Sequence, residues 1–375
     1  MADLIKVTDI DDNTIYRVTN LKVGNKDIIT PIKALDLSKM TSGIKLQKQV
    51  HGVNEIYRKV TTEKIKEMMT NKKAQSFFDY SINSAINKSD ANSELNVLFL
   101  EHEGKDYPDG KILEFISDNV HSFSDIVTLP LITDIENRIS DEKTFKEFIT
   151  FLSRYVEEVE KLNKKPIMGI VPNIPWIFSE DLANFYLKNG INAFCFDFNG
   201  KNPLTIERNI RPFLKAIKQE GQEEKSLFYC INANAGKISK GKNIIPAKDI
   251  LSFGFGFDIL GLKHKKLKLP AELFEKIKQK GQRLRLFNKS DYGYYIFEDS
   301  KLIKTSNSVP SDSSISAEDI IKRNALQNVF NMEQHGLEAI NLRNIIKENS
   351  ILPYLDKKAN IKDKDKNHIK KMKKL

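Results

Sequence analysis

The chain has little of what would make its chemistry quick to read. Two cysteines in 375 residues, Cys195 and Cys230, exclude a disulfide framework and a cysteine-rich zinc site. Each lies inside an apolar run, where free cysteine behaves as a small core hydrophobe. The six histidines are scattered and none pairs with a second ligand at i,i+4, so no metal is expected. P-loop, GxSxG and GxGxxG motifs are missing, and with them any sign of a cofactor; GFGFDILG holds only a fragment, beside a strand rather than a helix. No apolar run approaches the roughly 20 residues of a membrane-spanning helix, which predicts a soluble chain with no membrane partner. The opening MADLIKVTDIDDN lacks a basic stretch followed by an apolar one, so no secretory signal is read and a cytoplasmic location is expected.

What is present is a series of short apolar runs ending in small or polar residues. LNVLFL (95–100), IVTLPLITD (126–134), IMGIVPN (167–173), AFCFDFNG (193–200), LFYCINAN (227–234) and GFDILG (256–261) are spaced about one βα unit apart. That alternation reads as a parallel sheet with crossover helices and suits an α/β fold, a (β/α)8 TIM-type barrel; an open doubly wound sheet is the alternative. Such barrels carry their chemistry at the C-terminal strand ends. Residues 1–40 alternate as an N-terminal β-hairpin with a turn at Gly24-Asn25. The hairpin and barrel are expected over 1–300, a linker over 301–316, a C-terminal helical element over 317–356 and a basic flexible tail over 357–375.

Within that frame QSFFDYS (75–81) reads as a strand ending at Asp79. The strongest helix follows an N-cap at Ser140, with apolar residues from Phe145 to Leu162 at 3/4 spacing. Further helices are expected at 179–189, 205–219 and 317–348. The net charge is +10, of which the nine Lys and two Asp from Lys357 onward supply +7. Such a tail either grips phosphates through counterion release or simply keeps the chain soluble.

Carboxylates hold most of the functional signal. Asp134, Asp197 and Asp258 each follow an apolar strand run, where a charge needs a reason to be. At a barrel mouth such acids can act as nucleophile, general base or acceptor for a ligand's N–H groups; they can equally cap the next helix. Asn173, Asn199, Asn232 and Asn234, at other strand ends, can donate and accept, which suits a heterocycle or phosphate as well as a turn. His264 sits among Lys263, Lys265, Lys266 and Lys268, a basic loop better suited to phosphate than to a metal cation.

The order of these segments resembles the tRNA-guanine transglycosylase superfamily, barrel enzymes that exchange guanine for a 7-deazaguanine base. YRVTNLKVGNKDIITP (16–31) is similar to the family's opening, SDIVTLPLITD to the strand whose last Asp binds the base, and GFDILGLKHKKLK to the strand and basic loop around the nucleophilic Asp. IMGIVPN resembles the strand carrying a base-contacting Gln, here Pro172 or Asn173, and INAFCFDFNG the strand ending in a Gly pair. The nucleophile position falls on Gly261, with Asp258 nearby. The family's Asp-Ser-Gly-Gly segment is matched only by FDYSIN, and the usual zinc cysteines are missing. The resemblance implies a transferase on guanine in nucleic acid, DNA or tRNA, with a free 7-deazaguanine-type base as co-substrate, and extends to the DNA-modifying branch. It places attack on Asp258, proton transfer on Asp79 and base reading on Asp134, with Asp197 able to exchange roles. A non-catalytic nucleic-acid-binding relative and a small-molecule barrel enzyme are the alternatives.

Overall fold

The computed structural model describes residues 5–40, 45–162, 165–238, 243–265, 272, 283–305 and 309–375. The chain opens with three antiparallel strands, β1 (Ile5–Ile10), β2 (Arg17–Val23) and β3 (Lys26–Thr30). β2 and β3 turn at Gly24, whose φ of 60° suits a residue without Cβ. A mixed α/β body follows. Its strands are β4 (Ile32–Lys33), β5 (Val53–Thr61), β6 (Leu95–Glu103), the pair β7 (Val127–Thr128) and β8 (Leu131–Ile132), β9 (Ile167–Val171), β10 (Ala193–Asp197), β11 (Leu227–Ile231) and β13 (Ile259–Leu260), with β12 (Ile244–Pro246) in a separate sheet.

Every pairing within the body is parallel. One set runs β4–β13–β11–β10–β9–β7 and the other β5–β6–β8. The sets meet at two places. Leu35, just past β4, accepts from Glu55 N–H at 2.8 Å and donates to Val53 O at 2.9 Å. β7 and β8 are one stretch of chain interrupted at Leu129-Pro130, where proline has no N–H to give a ladder.

Helices α1 (Thr62–Thr70), α2 (Lys72–Ile86), α3 (Gly110–Phe123), α4 (Glu142–Glu160), α5 (Ser179–Lys188) and α6 (Pro203–Gln219) alternate with the strands. In α4 the cap is Asp141, one residue beyond the expected Ser140. Its carboxylate accepts from Thr144 N at 2.9 Å and the Thr144 hydroxyl returns to the cap backbone. Seven apolar residues of α4, from Phe145 to Val159, are buried on one face. At about 2 kcal/mol for each large side chain, this stripe outweighs the helix's intrinsic propensity.

Residues 75–81 are a helix, not a strand. Asn71 caps α2 through Lys73 N and Ala74 N, and Phe78, Ile82 and Ala85 repeat at helical spacing on its buried side. Phe77 and Tyr80, which made the segment look like a strand, are 74% and 71% exposed.

After β14 (Leu284–Asn288) and β15 (Gly293–Phe297), which form an antiparallel sheet with β15 between β12 and β14, come α7 (Leu302–Thr305), α8 (Ala317–Lys322) and α9 (Leu326–Lys347). The expected single helix over 317–348 is thus broken at Arg323. α9 is buried nearly all round and packs on β4 as part of the body. Gly336 is required there, because a Cβ would lie 2.8 Å from that of Val50.

The tail, expected to be flexible, is helical and partly buried. After α10 (Ile351–Asp356), α11 (Asp363–Met372) packs on the 3-10 turn Ile250–Phe255, with Ile369 against Gly254 and Met372 also buried, while Lys364, Lys370, Lys371, Lys373 and Lys374 remain exposed. Spacing of three between Ile369 and Met372 puts both apolar side chains on one face, so a Lys-rich segment can dock and keep its charges in water.

Candidate active site at the C-terminal strand ends

Strand alternation sends one side chain in two to the same face, so Glu55 and Tyr57 of β5 lie on one side of their strand. The Glu55 carboxylate is fully buried and accepts from Leu262 N at 3.0 Å, from Tyr229 Oη of β11 and from His264 Nε2. Tyr57 stacks flat on the His264 ring, with centroids 4.1 Å apart and planes within 2°, and its hydroxyl donates to Glu101 at the end of β6. Glu101 also accepts from the Thr133 hydroxyl at 2.5 Å. Burial first, and then the neighbouring charge of Asp197, push the Glu101 carboxyl above the usual range, against the Thr133 bond.

Asp197 ends β10 and is likewise pushed up, chiefly by burial. Its Oδ1 accepts from Asn199 N at 2.8 Å and Asn232 Nδ2 at 2.9 Å. Asn232, at φ 57°, turns its own Oδ1 back to the backbone N–H groups of His264 at 2.8 Å and Lys265 at 2.9 Å. Lys265 reaches Glu136 at 3.0 Å, and Glu136 also accepts from Asn199. Burial works against the Glu136 charge, yet these bonds and one from backbone hold its carboxyl below the usual range. Six strands, β5, β6, β8, β10, β11 and β13, thus deliver acids, amides and an imidazole to one end of the parallel strands.

The sequence-level expectations divide on this geometry. Asp197, Asn199, Asn232, His264 and Lys265 come together. Asp134 stands on the same rim, next to Thr133, in left-handed backbone at φ 54°. Of the asparagines expected to hold substrate, Asn234 accepts from Lys263 at 3.0 Å and Asn173 from Asn209 at 3.4 Å, each through its side-chain oxygen. Desolvation lowers the Lys263 pKa. Lys266 and Lys268 lie outside the described residues.

Asp79 and Asp258 are elsewhere. Asp79 rides on α2, bonded to Gln75 at 2.7 Å, on a helix flank rather than a strand end. Asp258 precedes β13, at the N-terminal end of the strands. It is fully buried against Arg17 and accepts from Phe228 N at 2.8 Å, with Thr19 and Thr30 hydroxyls at 3.2 and 3.3 Å. Its position reflects the start of a strand misread as the end, because the apolar run GFGFDILG continues on both sides of it.

Glu55, Tyr57, Glu101 and Glu136 were not singled out from sequence. Glu101 had a signal, since it directly follows the run LNVLFL just as Asp197 follows AFCF. Glu55 had none, because VNEIYRKV alternates without a strand-end cue. Gly261 explains its room: a Cβ there would fall on the Glu55 carboxylate and lie 2.7 Å from Cys230 O.

Among the described residues no three His, Cys, Asp or Glu side chains gather to hold a metal ion, and no helix is long and apolar enough to cross a membrane. No protein-family model matches the chain, and no curated protein matches it.

Proposed function

We propose that the circuit of parallel strands is a (β/α)8 barrel and that its mouth exchanges a guanine in nucleic acid for a free 7-deazaguanine-type base, in the manner of the tRNA-guanine transglycosylases. The observation that carries this reading is the convergence of Asp197 and Glu101, two partly buried acids, with His264 at the C-terminal strand ends. Base exchange needs a carboxylate to attack the sugar's anomeric carbon and further polar groups to hold the purine edge. Asp197 is the attacking group in this reading. Two donors fix its Oδ1, and its Oδ2 has no hydrogen-bond partner among the described residues. Glu101 and Asp134 hold the purine, and the target base must leave its stack to reach them. Exposed lysines around the chain supply phosphate contacts.

The test is incubation of the full chain with labelled guanine and either DNA or tRNA. Label exchange, with a denaturation-stable adduct that is lost in Asp197→Asn and retained in Asp79→Asn, is the expected result. Binding of nucleic acid without exchange or adduct would identify a binding-only relative and refute the enzymatic reading.

A further inference from the structure

We propose that Glu55 and His264 are the proton-transfer pair of this mouth, with Glu55 the positioning residue and His264 Nδ1 the atom that receives and returns the proton of the bound base. The inference deepens the base-exchange reading and rests on it for the identity of the substrate. Three contacts fix the imidazole. Glu55 takes its Nε2 edge, Tyr57 covers its face at 4.1 Å, and Asn232 holds its backbone N–H at 2.8 Å. A carboxylate on one ring nitrogen sets the tautomer, here Nε2–H, and leaves the other nitrogen as a base. Nδ1 has no hydrogen-bond partner among the described residues and is not among the buried unpartnered atoms.

The second unspent atom of the site is Asp197 Oδ2, and both hang from the same amide. Asn232 donates to Asp197 through Nδ2 while its Oδ1 holds the His264 backbone. The attacking carboxyl group and a ring nitrogen are therefore set relative to each other by one side chain. A structural clasp for residues 261–265 would need the Leu262 and His264 backbone bonds but not a stacked ring with one nitrogen left open.

The chemistry balances over one exchange. As Asp197 Oδ2 bonds to the anomeric carbon, the carbon–nitrogen bond to guanine breaks and protonated His264 gives its Nδ1 proton to the departing base. The incoming base then loses its ring N–H proton to Nδ1. Its nitrogen takes the anomeric carbon, and the carboxylate leaves with its electron pair. The imidazolium is restored, and no oxidant, reductant or metal is consumed.

Nitrogen NMR of the full chain labelled with 15N-histidine tests the pair directly, with the His264 signals identified by their loss in His264→Gln. The expected spectrum of the neutral ring shows Nε2 protonated and Nδ1 bare, with free guanine moving the Nδ1 signal. Glu55→Leu, which leaves no acceptor, should give mixed tautomers. In the exchange assay Glu55→Gln should lower kcat at least tenfold with KM within twofold, and Glu55→Asp should recover part of the loss. An Nδ1–H tautomer in the wild-type chain overturns the pair, and that reading needs no variant to fold. A wild-type chain that exchanges nothing on either nucleic acid overturns the base-exchange reading instead, while the tautomer still decides the pair.

Discussion

Replacing Asp258 with asparagine separates a structural carboxylate from a catalytic one. The wild-type side chain is wholly buried and takes two bonds from Arg17, at Nε (3.0 Å) and Nη2, with a further bond from Phe228 N at 2.8 Å. Asparagine keeps the shape but removes the negative charge, leaving the guanidinium buried without its counter-ion. Breaking one side of such a pair costs about 3–5 kcal/mol. Arg17 keeps its bonds to Glu223 O and Ser226 O, both at 2.7 Å, and its place over the Phe228 ring, so the lower end, about 3 kcal/mol, is expected. That is a large part of a typical stability of about 5–15 kcal/mol. Urea unfolding followed by circular dichroism gives the difference, provided the slope with denaturant is unchanged. Arg17→Met combined with Asp258→Asn should recover more than half of the loss, since the stranded charge is then gone. A single variant that loses less than about 1 kcal/mol would refute the reasoning. So would one that keeps full stability while losing guanine binding, because Asp258 would then belong to a site.

Lys33 offers a pH test. Its ammonium is buried, donating to Leu260 O at 3.1 Å and to Gly261 O, and burial lowers its pKa from 10.5 to about 8 despite the favourable charges of Glu55 and Asp249. The folded value lies below the unfolded one, so the unfolded chain binds more protons between them and stability rises as pH climbs through that window. Relative to Lys33→Met, the wild-type chain should gain about 3 kcal/mol between pH 8 and 10.5, read by urea unfolding; a flat difference would refute the assignment. Docking of the tail predicts that Ile369→Asp costs about 3 kcal/mol, because a fully buried side chain is replaced by a charge. Lys370→Glu with Lys371→Glu should leave melting unchanged. If these exposed lysines also grip nucleic acid, that double variant flattens the salt dependence of binding, and an unaltered slope rules out the grip.

The sequence by itself determined the alternation of strands and helices and the end of the sheet where Asp197, Asn199 and Asn232 gather. Both are written in local patterns: apolar runs of five or six residues, caps such as Asn202 before Pro203, and glycines at φ 68° and 62° closing α5 and α6. Asp197 could be found because it terminates such a run. What only the tertiary structure decided is which side chains meet. Glu55 and His264 are 209 positions apart, and Arg17 and Asp258 are 241 apart. A buried carboxylate looks the same in sequence whether it faces an ion-pair partner beneath the sheet or an imidazole at its upper edge. The choice depends on strand register, where a shift of one residue reverses every side chain. The tail was undecidable for a related reason. Its apolar residues are too few to fold alone, and their burial depends on a surface supplied by Gly254 and its neighbours, more than 100 residues earlier in the chain.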